Sequence, residues 1–305
     1  TVLDIGCNDG SLLNFFKKKG CKTFGLEPTG AFFEAKKKWH QVLNNYFDIK
    51  TSKILKDKIK TIDVITFTNV FAHIENFKEL IASLKNLITK ETLIVVENHY
   101  LGEVIKKNQF DTFYHEHPRT YSLNSFFFIS KLLNMNIIKY EFVKRYNGNI
   151  RVFLHINKSF LNERKLKQDL KNEKKLIKKV SLFQKKIDKR KVVKKDYFNN
   201  LLKKFGPIPA KAFPGRASIL INLLNLSNKN ISNVYEKDAS LKVNKYIPGT
   251  NIKIVKEKFF SKKERNKRKI INLAWHISGE IRSYLKQKMN YNGKVIDIIS
   301  SKDFT

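Results

Sequence analysis

Cysteine is scarce in this 305-residue sequence, and long apolar runs are absent from it. The two cysteines, Cys7 and Cys21, cannot build a disulfide framework or a four-cysteine zinc site. A reducing, cytoplasmic location therefore fits the chain best. No apolar run reaches the roughly 20 residues that a transmembrane helix needs, so no membrane partner is predicted.

Acidic residues are also scarce, with 27 Asp and Glu against 61 Lys and Arg, and the formal net charge is +34. Such a charge is compatible with a nucleic-acid partner. The lysines are scattered over every segment, however, and no RNP-like aromatic motif, zinc finger or Asn-Pro-Pro-Tyr signature accompanies them. Dispersed basic charge is weak support for a specific nucleic-acid partner, and RNA stays an alternative.

The sequence opens on a strand, a glycine-containing turn and a helix. Residues 1–6 form an apolar run, the turn spans residues 6–10, and apolar side chains between 12 and 16 follow at helical spacing. Glycines let the backbone approach a ligand closely, and the helix start presents free N–H groups. The Gly-x-Gly-x-x-Gly order of dinucleotide binders is missing because Asn8 occupies the place of the second glycine.

Acidic residues flank this turn. Asp4 precedes it, and Glu27 follows the next predicted strand, where a carboxylate can accept hydrogen bonds from ribose hydroxyls. Acids are less unfavourable around a cationic sulfonium than around a pyrophosphate. The turn thus favours S-adenosylmethionine over a nicotinamide dinucleotide, with an ordinary α/β turn as the alternative. The predicted cofactor-binding residues are Asp4, Gly6, Asn8, Gly10, Glu27 and Asn69.

Alternating helix and strand patterns after Glu27 predict a doubly wound α/β domain. In chain order they are a helix near 31–39, a strand at 62–67, a helix near 77–87 and a strand at 92–97. Ligands of parallel sheets bind beyond the carboxyl ends of the strands. Asn69 and His73 follow one strand and residues 97–99 end another, so these side chains are expected to face the same crevice.

The apolar content of 42% allows a large core, and the later patterns predict a second domain. A hairpin of residues 137–144 and 149–156 around Asn147-Gly148 would close the first domain. A lysine-rich amphipathic stretch and another α/β series follow it. The prediction is a first domain over 1–157, a connecting helix over 158–204 and a Rossmann-like domain over 205–305.

The string Tyr114-His115-Glu116-His117 concentrates groups that can transfer protons. Imidazole is the side chain best suited to move protons near neutral pH. On an extended segment His115 and His117 would share one face and could ligate a metal. With no cysteine nearby, no metal site is predicted. His99 could take part in the site or could hydrogen-bond a loop.

Several motifs occur along nearly the whole chain in a fixed order: residues 3–10, 25–29, 69–74, 97–100, 108–112, 114–117, 121–123, 248–250 and 274–275. This series resembles the S-adenosylmethionine-dependent C-methyltransferases that act on nucleotide-linked deoxysugars. The resemblance implies a class I methyltransferase fold, with a mostly parallel sheet and an antiparallel closing strand, followed by a second Rossmann-like domain.

Members of this family look like three-part enzymes whose small N-terminal lobe binds zinc through cysteines. Thr1 already lies inside the predicted first strand, so we expect an N-terminal portion that carries this lobe, and zinc only there. The sequence departs from the family twice. Residues 148–151 replace a Gly-Gly-Ser-x-Arg pattern, and residues 211–216 stand where a Gly-Tyr-Gly-Ala turn is usual.

The resemblance also implies a mechanism on a nucleotide-linked 4-keto sugar. His117 would remove the proton from C3, next to the ketone, and His73 would donate a hydrogen bond to the enolate oxygen. Glu116 would orient His117 or shuttle its proton, and Tyr114 would position the sugar. The alternatives are an RNA-directed methyltransferase and a catalytically silent protein that binds S-adenosylmethionine.

Overall fold

The computed structural model describes residues 1–145, 148–159, 162–260, 269–300 and 303. They form two compact units. Unit 1 comprises Thr1–Lys106 and His115–Lys179, and unit 2 comprises Lys107–Tyr114 and Val180–Thr305. Among the residues described, no helix combines the length and apolarity needed to cross a membrane.

Unit 1 is built on a seven-stranded sheet with the order β3-β2-β1-β4-β5-β7-β6. Strand β7 runs antiparallel to both of its neighbours, and the other pairs are parallel. The predicted, mostly parallel sheet with an antiparallel strand is therefore confirmed. The strands are β1 Val2–Ile5, β2 Thr23–Leu26, β3 Gln41–Leu43, β4 Val64–Thr68, β5 Leu93–His99, β6 Asn136–Val143 and β7 Asn149–His155.

Strands β6 and β7 form the predicted hairpin. Of the two residues placed at its turn, Asn147 lies outside the described residues. Gly148 has φ of +139°, a backbone conformation that side chains with a Cβ rarely adopt. A Cβ at Gly148 would also lie 2.6 Å from that of Glu103, so glycine is required at this corner.

Several helices of unit 1 begin at polar caps. Asp48 accepts a hydrogen bond from the Thr51 amide, Asn76 accepts one from the Glu79 amide, and Ser122 starts a capping box. Such caps stabilise a helix by about 1 kcal/mol each. The helices are α1 Ser11–Lys17, α2 Phe32–Lys37, α3 Ile49–Lys58, α4 Phe77–Leu87, α5 Leu101–Lys106, α6 Leu123–Leu132 and α7 Glu163–Ile177.

Residue alternation gives the sheet of unit 1 two different faces. On one face Ile65, Phe67 and Val96 are fully buried in a core to which α3, α4 and α6 contribute. On the other face Val95 and Phe153 are only half-buried and line a cleft. This open face leads to the carboxyl ends of β1, β4 and β5, where the predicted site residues lie.

Unit 2 contains a five-stranded parallel sheet with the order β10-β9-β8-β11-β12. The strands are β8 Ile208–Lys211, β9 Ile231–Glu236, β10 Ile254–Lys256, β11 Lys269–Asn272 and β12 Lys294–Asp297, and the helices include α8 Val180–Phe205, α9 Ala217–Leu223 and α10 Ser278–Met289. The central strand β8 is not apparent from the sequence because prolines disfavour central strands. Its register shifts between Ile208 and Ala210, at Pro209.

The segment predicted as one connecting helix, residues 158–204, forms two helices. Helix α7 belongs to unit 1, and α8, which starts after Lys179, belongs to unit 2. Helix α7 is held by Glu173, whose buried carboxylate accepts hydrogen bonds from the amides of Leu123 and Asn124, both at 2.7 Å. These amides lie at the start of α6, where a carboxylate satisfies otherwise unpaired donors.

Candidate active site

The turn between β1 and α1 needs glycine at two positions. Gly6 has φ of +71° and Gly10 has φ of +74°. A Cβ on Gly6 would lie 2.4 Å from Val70 Cγ2, and one on Gly10 would lie 2.8 Å from His40 Cδ2. The turn can therefore lie directly against the loop after β4 only because Gly6 lacks a side chain, and it can close against Ala35 and His40 only because Gly10 lacks one.

The carboxylate of Glu27 is fixed beside this turn. Its Oε2 accepts a hydrogen bond from the Asn8 amide at 3.0 Å. Its Oε1 accepts from the amide of Thr29 at 2.9 Å and from the Thr29 hydroxyl at 2.5 Å. A carboxylate held in this way at the wall of a cleft is suited to accept hydrogen bonds from ribose hydroxyls.

Asp4 lies in the middle of the sheet and is 3% exposed. The hydroxyl of Thr66 donates a 2.6 Å hydrogen bond to its Oδ1. Burial raises the pKa of Asp4 to about 7, against the lowering effect of the Thr66 hydrogen bond, and the nearby Glu27 raises it further. A cationic ligand in the cleft would favour the ionised form of this carboxyl group.

A cleft of about 1060 Å³ extends along the open face of the sheet. It brings together five of the six predicted cofactor-binding residues, namely Asp4, Gly6, Asn8, Glu27 and Asn69. Gly10 is not part of its lining and instead closes the turn against Ala35 and His40. His73 and Glu97 also line the cleft, as their places after β4 and within β5 predict.

Three imidazole rings lie together at the carboxyl edge of this sheet. The ring centroids of His73 and His117 are 4.6 Å apart, and those of His99 and His117 are 5.7 Å apart. His73 ends a 3₁₀ turn after β4, and His99 is the last residue of β5. The structure thus brings His73 and His117 together, and His99, for which the sequence left two alternatives, is in ring contact with His117.

The rest of the Tyr-His-Glu-His string is arranged differently. His115 and Glu116 form a turn and are exposed, so the string is not the extended segment on which His115 and His117 would share a face. Tyr114 is half-buried and belongs to unit 2, whereas His115 already belongs to unit 1. Within the described residues, no cluster of three or more His, Cys, Asp or Glu side chains is arranged to hold a metal ion.

A polar network around the buried Glu97 and Asn149 adjoins the imidazoles. Glu97 Oε2 accepts hydrogen bonds from Nε and Nη2 of Arg151 at 2.9 and 2.6 Å. Asn149 Nδ2 donates to Glu97 Oε1 at 3.0 Å and to Asn69 Oδ1 at 3.1 Å. The Oδ1 of Asn149 is buried without a hydrogen-bond partner among the described residues, so it is an acceptor that a ligand N–H or O–H could satisfy.

Two family models match the chain. A methyltransferase domain matches residues 1–134, and a C-methyltransferase C-terminal domain matches residues 145–299, just over half of the chain. The chain belongs to the C-methyltransferase family. This membership confirms the class I methyltransferase fold and S-adenosylmethionine as the predicted cofactor.

A curated relative supports the same family. The chain is 26% identical over 153 residues to the C-methyltransferase NovU of Streptomyces niveus. The matched part covers 50% of this chain but only 36% of the relative's length.

Solved methyltransferase structures resemble half of the chain. An S-adenosylmethionine-dependent methyltransferase from Archaeoglobus fulgidus is 16% identical, with a TM-score of 0.42 over 50% of this chain and 84% of that one. The magnesium protoporphyrin IX methyltransferase from Synechocystis PCC 6803, solved with bound S-adenosylhomocysteine, is 16% identical, with a TM-score of 0.38 over 50% and 72%. Neither TM-score reaches 0.5, and the fold assignment rests on the family models and the sheet topology.

The residues of this C-methyltransferase fit the cofactor in charge and shape. Gly6 lines the cleft in a left-handed backbone conformation with no space for a Cβ, and Glu27 offers a fixed carboxylate to ribose hydroxyls. Asp4 places a buried acid in a cleft that would receive a cationic sulfonium. When bound there, S-adenosylmethionine supplies an electrophilic methyl group.

Sequence reasoning did not single out Asn149 and Arg151 as site residues of this C-methyltransferase. The pairing of β5 with β7 places Arg151 opposite Glu97 and Asn149 opposite His99. Residues directly opposite each other on antiparallel strands project from the same face. Their pairing with Glu97 and His99 depends on the register of two strands about fifty residues apart in sequence, and the local pattern at residues 148–151 does not reveal that register.

Proposed function

We propose that this family member is an S-adenosylmethionine-dependent C-methyltransferase that methylates C3 of a nucleotide-linked 4-keto deoxysugar. His117 is the base in this proposal. The observation that supports it best is the 4.6 Å approach of the His73 and His117 rings in the unit that also carries the cofactor turn. With two imidazoles at one carbon centre, one can remove the proton and the other can stabilise the negative charge that results.

Methyl transfer to carbon requires a carbon nucleophile, and the ketone makes one accessible. As His117 takes the C3 proton, the electron pair of the C3–H bond moves toward the ketone oxygen and forms an enolate. His73 donates a hydrogen bond to that oxygen, where the negative charge develops. The enolate carbon would then take up the methyl group, the sulfur of the bound cofactor would keep the electron pair of the broken S–C bond and leave as a neutral thioether, and the proton remains on His117.

The remaining members of the string have supporting roles in this proposal. Glu116 is exposed, which suits the transfer of the proton from His117 to solvent better than a fixed orienting contact would. Tyr114 positions the sugar. The buried Oδ1 of Asn149 and the Glu97–Arg151 pair offer polar groups to the substituents of the sugar.

The full-length protein tests the proposal with labelled S-adenosylmethionine and a panel of nucleotide-linked 4-keto sugars. Label on a sugar carbon is the expected result. His117→Ala should lower turnover by roughly 10²-fold to 10⁴-fold, the usual contribution of a general base, while cofactor affinity stays unchanged in titration calorimetry. His115→Ala, which removes an exposed imidazole of the same string, is the matched control and should keep its turnover.

Other outcomes would favour the alternatives. Label in RNA, with binding that weakens steeply as salt rises, would favour the RNA-directed methyltransferase. Cofactor binding without turnover on any sugar of the panel would favour a silent binding protein. A separate measurement isolates the base: the protein should catalyse deuterium incorporation at C3 of its 4-keto substrate in heavy water, and His117→Ala should not.

A further inference from the structure

Unit 2 repeats the backbone plan of the cofactor turn of unit 1. In unit 1, β1 ends before Gly6, whose amide donates to the Leu26 carbonyl at 2.7 Å. In unit 2, β8 ends before Ala212, whose amide donates to the Tyr235 carbonyl at 3.1 Å. Ala212 also shares the left-handed backbone, with φ of +61°.

The correspondence continues into the following helix. The acid that follows Leu26 is Glu27, and the acid that follows Tyr235 is Glu236, whose Oε1 accepts a 2.5 Å hydrogen bond from the Phe213 amide. Gly10 is the N-cap of α1 in unit 1, and Arg216 is the N-cap of α9 in unit 2. An arginine therefore stands where the cofactor turn has its second glycine.

The side chain of Arg216 is committed to two contacts. Its Nη1 lies 3.5 Å from Oδ2 of Asp111, and its guanidinium carbon lies 4.9 Å from the centroid of the Trp275 ring. Trp275 follows β11, the neighbour of β8, at the same carboxyl edge of the sheet. A planar guanidinium that stacks on an indole is restricted in orientation, so its remaining N–H groups point in fixed directions.

Asp111 needs this partner because it is 4% exposed. Burial raises the pKa of the Asp111 carboxyl group, and the positive charge of Arg216 opposes that rise. A buried carboxylate that loses a counter-charge is strongly destabilised. Breaking the Arg216–Asp111 pair should therefore destabilise the segment that carries Asp111 more than breaking a surface ion pair would.

The tied segment, Lys107–Tyr114, is the part of unit 2 that interrupts unit 1 in sequence. Its Phe110 packs against the core of unit 2, in a pocket that Leu220, Leu224 and Ile298 also line. Its Phe113 ring lies 6.2 Å from the ring of Phe183 in α8. The segment is therefore anchored in unit 2 up to Tyr114, and the next residues along the chain are His115, Glu116 and His117.

We propose that Arg216 is a positioning residue for the Tyr-His-Glu-His string, acting through Asp111, and that the cofactor-like turn of unit 2 serves as the anchor of this string. The anchor holds the chain up to Tyr114, and His117 follows three residues later in the sequence. This assigns a task to unit 2 within the reaction. The catalytic consequence rests on the function proposed above, whereas the anchoring itself does not.

Hydrogen exchange on the full chain measures the anchoring without any turnover. Arg216→Gln and Asp111→Asn should each speed exchange of the amides in residues 109–114 by roughly ten-fold or more, since either change removes the ion pair that ties the buried Asp111 to Arg216. Amides of β1 and β2 should be unaffected. Arg216→Lys keeps the charge but loses the stacking on Trp275, so it should restore part of the protection.

The control is Arg282→Gln, which breaks another ion pair of unit 2, that of Arg282 with Asp297 at 2.8 Å. It should leave exchange in residues 109–114 unchanged. In the double variant Asp111→Asn with Arg216→Gln, exchange should be no faster than in Arg216→Gln alone, because the ion pair that Asp111→Asn removes is already lost in that variant. Additive effects, or unchanged exchange in both single variants, would overturn the anchoring. If Arg216→Gln unfolds unit 2, Asp111→Asn, which keeps the shape of the side chain, decides alone.

The kinetic arm then separates the two proposals. In a full-length protein that methylates a sugar, Arg216→Gln should lower kcat by roughly ten-fold or more while the Kd for S-adenosylmethionine stays constant. Faster exchange with an unchanged kcat would refute the positioning role while leaving the proposed function intact. Faster exchange in a protein that methylates no sugar would refute the proposed function while leaving the anchor intact.

Discussion

In unit 1 the strand that leads into the turn carries Asp4, and the turn itself carries Asn8 and Gly10. The corresponding places in unit 2 hold Ala210, Pro214 and Arg216. Proline has no amide hydrogen to offer a ligand, and alanine offers no charge. Lys211, at the end of β8, is buried and pairs with Glu257 at 2.6 Å, where the matching residue of unit 1 is Ile5.

The difference shows that a backbone plan does not by itself make a ligand site. Both turns have a left-handed first residue and an acid that accepts a backbone amide. In unit 1 the small residues leave a cleft and the acids face it. In unit 2 the side chains fill the same edge with contacts of their own, of which the Arg216–Asp111 pair is one.

The largest expected effect comes from Gly6→Ala. This change places alanine in the turn of unit 1, at the position that corresponds to Ala212 of unit 2. The added Cβ would lie 2.4 Å from Val70 at φ of +71°. Steric overlap and backbone strain together cost about 3 kcal/mol. Because the turn must move away from Val70 to relieve them, and the turn lines the cleft, affinity for S-adenosylmethionine should fall by roughly 100-fold in titration calorimetry. Gly20 has a similar φ, +80°, and open space where a Cβ would lie. Gly20→Ala therefore introduces backbone strain without steric overlap and serves as the control. Equal losses of affinity in the two variants would contradict a role for close approach.

The next effect is a pH dependence of stability. Asp4 confers it on unit 1, whereas Ala210, at the corresponding position of unit 2, does not titrate. The pKa of Asp4 is raised to about 7 in the folded protein, so the folded state favours the protonated form. Stability is therefore greatest below the unfolded pKa, near 4, and falls as pH rises toward 7, by up to about 1.4 kcal/mol per pH unit.

Thermal denaturation of the ligand-free protein between pH 5 and 7 checks this expectation. Asp4→Asn should remove most of the decline and should weaken cofactor binding, because the buried negative charge is gone. A decline of the same slope in the wild type and in Asp4→Asn would show that another group causes it.

A smaller effect distinguishes the two acids that accept turn amides. Glu27→Gln removes a charge that faces the cleft, so cofactor affinity should fall by roughly ten-fold. Glu236→Gln should leave the affinity unchanged and lower the stability of unit 2 by about 1 kcal/mol, because its partner is the Phe213 amide. Calorimetric titration and denaturation of both variants give the comparison. Loss of cofactor binding in Glu236→Gln would mean that unit 2 takes part in the cofactor site.

The smallest expected effect is a gain. Ala212→Gly gives unit 2 the residue that unit 1 has at this place and relieves a left-handed alanine, worth about 1 kcal/mol. The melting temperature should rise by a few degrees, and cofactor affinity should not change. A lower melting temperature would show that the Cβ of Ala212 contributes packing that exceeds the backbone strain.

Much of unit 1 could be read from the sequence because its signals are local. The first strand, the glycine turn and Glu27 follow one another within about thirty residues, and apolar runs mark β4 and β5. Short elements were missed, such as β3 with three residues and β8 with its proline. The network of Glu97, Asn149 and Arg151 depends on strand register, and register is set by pairing across the sheet.

The sequence alone determined the residue types that this chemistry needs: glycines where the backbone is left-handed, acids beside the turn, and imidazoles after the strands. Tertiary structure decided which of them meet. The ring contacts of His117 with His73 and His99 join three separate segments, and the Asp111–Arg216 pair joins residues more than a hundred positions apart. Such contacts depend on how strands and helices pack together. Burial of apolar surface stabilises the complete packed arrangement, and no single segment specifies it.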